Sequence, residues 1–182
     1  MGGYGGNFWT GRFELNDAAR FDTENSTWEE IASLQEARAD AFGAAANGKV
    51  YVAGGMKITT SLHKRLTSCE VYNEVTNEWC FIARLTVPRA SGKMACVDGT
   101  LYVLGGITDR RIPRSTEPSI TVECYDSEKD KWRKKTTLPR HDFTPNETLS
   151  NRGYRACSVK LLKGVLTMES PRRRSVQHCC IT

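Results

Sequence analysis

Asn47-Gly48-Lys49-Val50-Tyr51-Val52-Ala53-Gly54-Gly55 and, 51 residues further on, Asp98-Gly99-Thr100-Leu101-Tyr102-Val103-Leu104-Gly105-Gly106 decide how this chain is read. Each begins with Asn or Asp followed by Gly, the dipeptide that tolerates positive φ at both central positions of a two-residue hairpin turn. A short strand rich in β-branched and aromatic residues follows, and paired glycines stop it. Upstream of each turn lies a strand of mostly small residues, Phe42-Gly43-Ala44-Ala45-Ala46 in one case and Met94-Ala95-Cys96-Val97 in the other. The sequence therefore predicts two copies of the same β-hairpin.

Working outward, the period of roughly 51 residues recurs in other residue types. Paired glycines stand at Gly2-Gly3, Gly54-Gly55 and Gly105-Gly106, and tryptophans at Trp28, Trp79 and Trp132. An aromatic residue precedes each tryptophan by 7 positions, namely Phe21, Tyr72 and Tyr125. Arginines fall at Arg38, Arg89 and Arg140, 51 apart. A third strand is expected to end at Val71-Tyr72 and at Cys124-Tyr125, and a polar turn leads to a fourth strand opening at Trp79 and Trp132. Each unit reads as a four-stranded antiparallel meander. A lone sheet of this kind cannot bury both faces, so the units must stack. The Tyr and Trp residues supply the large apolar area between them.

Gly48-Lys49-Val50-Tyr51-Val52-Ala53-Gly54-Gly55, Glu70-Val71-Tyr72-Asn73 and Asn77-Glu78-Trp79 resemble the kelch motif. The run from Asp98 to Gly106 is especially similar to the kelch domains of BTB-kelch proteins. The resemblance implies an all-β fold of kelch-type β-propeller blades. It covers 1–139 closely and 155–168 loosely. With two, four, four and two strands, the expectation is an incomplete propeller of about three blades: a half blade over 1–34, blades over 35–85 and 86–139, and a degraded partial blade over 140–168. A disordered basic tail is expected over 169–182, where Arg172, Arg173 and Arg174 repel one another. The chain reads as a fragment or short isoform of a longer protein.

Bulk composition narrows the function. The hydrophobic share is 39% and the charged share 26%, ordinary for a globular chain. No run of about 18 apolar residues occurs, so no helical membrane span is expected. The net charge of +5 is spread among interspersed acids and bases, unlike the concentrated basic face of a nucleic-acid binder. Cys69, Cys80, Cys96, Cys124 and Cys157 lie in apolar strand-like segments without metal-ligand spacing, so they read as buried thiols in a reducing, cytoplasmic setting. His63, His141 and His178 sit in no nucleophile or metal motif. No enzyme activity, cofactor or metal is expected.

The expected function is protein binding. The connections over 56–68 and 107–119, between second and third strands, are implied by the resemblance to crowd one face with the first-strand lead-ins. They carry Lys57, His63, Lys64 and Arg65, then Arg110, Arg111 and Arg114. Arg38 and Arg89 sit in the lead-ins, where arginines in kelch adaptors resemble a ring around the channel mouth. Such a ring would read an acidic or phosphorylated segment bidentately. Intra-propeller ion pairs are the alternative for these two arginines. The leading expectation is the substrate-recognition half of an adaptor for cullin-type ubiquitin ligases. The alternatives are an actin-associated structural kelch protein or an unproductive short isoform. Self-association through open propeller edges is also expected.

Overall fold

The computed structural model describes residues 2–5, 13–58, 63–109, 116–138, 158–162, 165–169 and 177–179. Every regular element among them is a β-strand, and every pairing is antiparallel. Trp9, Arg110, Arg111, Arg114, Arg140, His141 and Cys157 lie outside the described residues.

Two complete blades form the middle of the chain. The first contains β5 (Phe42–Ala46), β6 (Lys49–Ala53), β9 (Cys69–Asn73) and β10 (Glu78–Ile82), paired in that order. The second contains β11 (Lys93–Val97), β12 (Thr100–Leu104), β15 (Thr121–Asp126) and β16 (Lys131–Thr137), also in order. The turns are those the dipeptides require: Asn47 and Gly48 have φ of 50° and 71°, and Asp98 and Gly99 have 48° and 76°. Asn47 Nδ2 donates to the Gly99 carbonyl at 3.2 Å, tying the two hairpin tips together. β5 lies against β11, and β11 against β17 (Ser158–Leu162), so these strands line up along one side of the array.

A half blade precedes them, with β3 (Ala18–Asp22) paired to β4 (Thr27–Ile31). Phe21 stands opposite Trp28, as Tyr72 does opposite Trp79 and Tyr125 opposite Trp132. The aromatic pairs have ring centroids 5.2, 5.1 and 5.0 Å apart. β3 and β4 therefore hold the third and fourth places of a blade. At the other end β17 pairs with β18 (Val165–Glu169).

The structure departs from the sequence reading at three places. The connections between second and third strands, in which the sequence showed no strands, are two-stranded ribbons: β1 (Gly3–Gly5) with β2 (Phe13–Leu15), β7 (Met56–Ile58) with β8 (His63–Arg65), and β13 (Ile107–Asp109) with β14 (Thr116–Pro118). These strands are too short to show an alternating pattern, so the sequence concealed them. Secondly, of the segment 169–182, expected to be disordered, the structure describes only Glu169 and β19 (Gln177–Cys179), which pairs with β18. The free edge of β18 offers backbone partners that composition alone does not reveal. Thirdly, Cys80 is exposed, whereas Cys69 is buried and Cys96 and Cys124 are half-buried. Alternation explains it: Cys80 neighbours buried Trp79 on β10 and so faces the other way.

The core lies between blades. Trp79 packs with Ala18, Leu34, Val52 and Tyr72, bridging the half blade and the first complete blade. Trp132 packs with Phe42, Cys69, Leu85 and Tyr125, bridging the two complete blades. Each tryptophan thus inserts toward the preceding blade. Gly54 shows why a glycine stands where blades meet. Its φ is +59°, and a Cβ there would lie 2.4 Å from the Arg89 carbonyl of the next blade. Beside it Gly55 N donates to that same carbonyl at 2.9 Å.

Candidate partner-binding face

Arg38 and Arg89 do not face a channel mouth. Both are wholly buried, at 0% exposure. In the first complete blade, Arg38 Nε donates to the Glu36 carbonyl, Nη1 to the Gly54 and Ser68 carbonyls at 2.7 and 3.0 Å, and Nη2 to Ser68 Oγ and to Glu70 Oε1, the last at 2.6 Å. Arg89 repeats the pattern on the Val87, Gly105 and Thr121 carbonyls, Thr121 Oγ1 and Glu123 Oε1. A guanidinium has five N–H groups, and all are committed inside the blade. Further chain could only cover these arginines more. The expected guanidinium ring is overturned, and the intra-propeller ion pair is the outcome.

The acids that complete these pairs escaped the sequence reading. Glu70 and Glu123 are also 0% exposed. Glu70 Oε2 and Oε1 accept from Gln35 N and Glu36 N at 2.7 and 3.2 Å, and Glu123 Oε2 accepts from Thr86 N at 2.7 Å. Each pair therefore clamps the lead-in of its blade to the third strand. The signal was present as an acid two residues before each tyrosine, in Glu70-Val71-Tyr72 and Glu123-Cys124-Tyr125. Ala19 stands at that place in the half blade. Burial pushes the Arg89 guanidinium below its ordinary value, with Glu123 acting against that shift. Arg remains charged all the same, since its ordinary pKa is so high.

A second set of contacts joins blade to blade. Asn77 and Asp130, at φ of 50° and 43°, occupy equivalent turns. Asn77 Oδ1 accepts from Ala32 N at 2.9 Å and from the Tyr72 hydroxyl at 2.8 Å. Asp130 Oδ1 accepts from Ala83 N and the Tyr125 hydroxyl at 2.8 and 2.7 Å. The repeat differs at the indole: Trp79 Nε1 donates to the Ala32 carbonyl at 2.9 Å, whereas Trp132 Nε1 is buried without a partner.

The ribbons carry several of the charges expected to contact a partner. β2 lies beside β7 and β8 beside β13, so the three ribbons form one row. Ile58 N donates to Glu14 Oε2 at 3.1 Å, and Arg65 Nη1 pairs with Asp109 Oδ1 at 2.8 Å, linking one ribbon to the next. Lys57 Nζ pairs with Glu36 Oε1 at 2.9 Å. Burial raises the Glu36 carboxyl, but hydrogen bonds from Lys57 and Ser68 outweigh it and hold the group below the usual carboxylate range. Lys64 is exposed and stands directly across the ribbon from Lys57. His63 lies in β8. Of the expected site residues, the structure thus brings Lys57, Lys64 and Arg65 together on the ribbon row and removes Arg38 and Arg89 from it. Among the described residues, no group of three or more His, Cys, Asp and Glu could hold a metal ion.

Successive four-stranded antiparallel sheets stacked through inter-sheet tryptophans define a β-propeller. The solved structure of YjhT matches with a TM-score of 0.56 at 16% identity, covering 76% of this chain and 46% of that one, a likeness of fold. The Kelch motif family matches residues 37–86 and 88–139, more than half of the chain, which belongs to the kelch-repeat family. An F-box/kelch-repeat protein of Arabidopsis thaliana is 34% identical over 116 residues, 64% of this chain and 29% of that protein. Kelch-like protein 41a of Danio rerio is 31% identical over 119 residues, 64% of this chain and 19% of its own length. Kelch-like protein 35 of Mus musculus is 29% identical over 129 residues, 71% and 21% respectively. The chain spans less than a third of each of these three relatives. Kelch repeats are in general a non-catalytic interaction domain, so the chain carries a protein-interaction module.

Proposed function

We propose that this module recognises substrates for a cullin-type ubiquitin ligase in the cytoplasm, and that its partner offers an acidic or phosphorylated segment to the ribbon row. The observation that carries this reading is the placement of Lys57 and Lys64 opposite each other on the ribbon β7-β8, between two neighbouring ribbons. The buried Arg38–Glu70 pair serves this face indirectly. It fixes the lead-in from which Ala39 pairs with Met56 at the base of that ribbon. Lysines present point charges that suit carboxylate or phosphate without demanding one geometry.

The test is affinity capture from cells with the full-length protein that contains this segment, scored for ubiquitylation of what is captured. Lys57→Glu with Lys64→Glu is expected to abolish capture and ubiquitylation of an acidic or phosphorylated partner. Lys64 is exposed, so Lys64→Glu alone should leave the melting temperature within a few degrees while weakening capture. Lys57→Glu also sets a carboxylate beside Glu36 and should lower that temperature further. Undiminished capture would exclude the ribbon row as the recognition face.

A further inference from the structure

The fourth strand forms the outer edge of each blade, and the edges differ in charge. β4 reads Thr27-Trp28-Glu29-Glu30-Ile31 and β10 reads Glu78-Trp79-Cys80-Phe81-Ile82. β16 reads Lys131-Trp132-Arg133-Lys134-Lys135-Thr136-Thr137, with four cations and no acid. Aligned on the tryptophans, Lys131, Arg133 and Lys134 stand where β10 has Glu78, Cys80 and Phe81. Those three residues of β10 are exposed, although sheets pack on both faces of that blade. The outer position itself therefore keeps them in water, and the cations of β16 are exposed likewise.

β16 pairs on one side only, with β15. Among the described residues its other side faces no strand, so its outward N–H and C=O groups are a template for an added one. A bulge leaves Lys135 without a partner across the ladder and bends that end of the strand away. The regular edge thus runs over 131–134. Arg133 Nη2 pairs with Asp126 Oδ2 at 3.2 Å, whereas Lys131 and Lys134 join no ion pair among the described residues. Edge lysines commonly serve to deter stray strands. β10, however, manages with one acid and leaves Cys80 and Phe81 exposed, so blunting does not account for the charge density of β16.

We propose that β16 takes up an acidic, extended segment of a protein partner as an added strand. The cations that deter other strands favour this one, because opposite charges facing each other across a ladder stabilise it. Lys131 and Arg133 share a face by alternation, which calls for acids at every second residue of the segment. The backbone of the segment bonds to the free edge. This site lies on the outer edge of the blade, apart from the ribbon row. A nucleic-acid strand fits it less well, since Trp132, its one aromatic ring, is buried and offers no base a stacking surface.

Fluorescence anisotropy of the 182-residue chain with a labelled peptide of alternating Glu and Val tests this. Saturable binding is expected, and its absence would overturn the proposal. A peptide of alternating Glu and Pro carries the same charges but lacks every second backbone N–H, and should bind about tenfold more weakly. Equal binding would reduce the contact to charge alone and overturn the added strand. Lys131→Gln, Arg133→Gln and Lys134→Gln together should raise the dissociation constant about tenfold, and Lys64→Gln on the ribbon row should leave it unchanged. The opposite order would overturn the site. Bound peptide should slow hydrogen exchange at the outward amides of 131–134, and unchanged exchange there would overturn it as well. So would a single-stranded oligonucleotide that binds as tightly as the Glu-Val peptide and is weakened equally by the triple variant.

Discussion

Trp28 and Trp79 occupy the same place in successive repeats, each facing an aromatic partner across a two-strand ladder, yet one is 72% exposed and the other 2%. Their local chemistry is the same. What differs is the sheet on the other side: Trp79 meets Ala18, Leu34 and the Ala32 carbonyl of the half blade, and among the described residues Trp28 meets no such surface. In a stacked array a residue's contribution belongs to the interface, not to the repeat, as expected when stability sums over nearest-neighbour contacts.

The sharpest way to break this comparison is to truncate both rings. Trp79→Ala is expected to cost about 3–5 kcal/mol, the range for emptying a large buried aromatic site. Trp28→Ala should change stability by no more than about 0.5 kcal/mol at concentrations where the chain is monomeric. Urea unfolding of both variants on one preparation reads the difference. Equal losses would mean that the half blade is covered in solution.

The Arg38–Glu70 and Arg89–Glu123 pairs sharpen the same lesson from inside a blade, since they depend on no neighbour to be formed. Arg38→Ala leaves Glu70 buried without its cation and is expected to cost about 3–5 kcal/mol. Arg38→Met combined with Glu70→Leu removes both charges and should cost less than Arg38→Ala alone, because no unpaired ion remains. Thermal or urea melts of the two variants check the order. A stable, well-folded Arg38→Ala protein would return that arginine to the list of partner contacts.

The smallest effect is a titration. Cys69 is buried, its thiol donates to the Thr67 carbonyl at 3.5 Å, and burial pushes its pKa from 9.0 up to about 12. A pKa raised by folding contributes stability that is complete below the unfolded value and lost as pH rises through the folded one. Cys69→Ala should cost about 1 kcal/mol at pH 8 through the small cavity it leaves. The gap between wild type and variant should close above about pH 9 and reverse before about pH 12, because only the wild type loses this contribution, about 1.4 kcal/mol per pH unit. A gap that stays constant over that interval would show that the thiol is wetter than its position implies.

The four-stranded meanders, their turns and their stacking were legible in the sequence for physical reasons. Asn-Gly and Asp-Gly turns, paired glycines and Tyr–Trp ladders each impose a local geometry, and repetition at one period multiplies a weak signal. Side-chain direction was not legible. Arg38 and Arg89 looked like ligand contacts because an isolated cation in a lead-in is usually solvated, and nothing local says that a carboxylate 32 or 34 residues away will meet it. The ribbons of three-residue strands were hidden for the same reason that short strands carry no readable alternation, and β19 because an open edge can recruit a polar tail.

By itself, then, the sequence determined the blade as a unit, since turn chemistry and alternation act over a few residues. Only the tertiary structure decided which charges are spent inside the blade and which remain on the ribbon row. It also decided which of three equivalent tryptophans lies bare. Burial is a property of the neighbour, and the neighbour is set by how whole sheets stack.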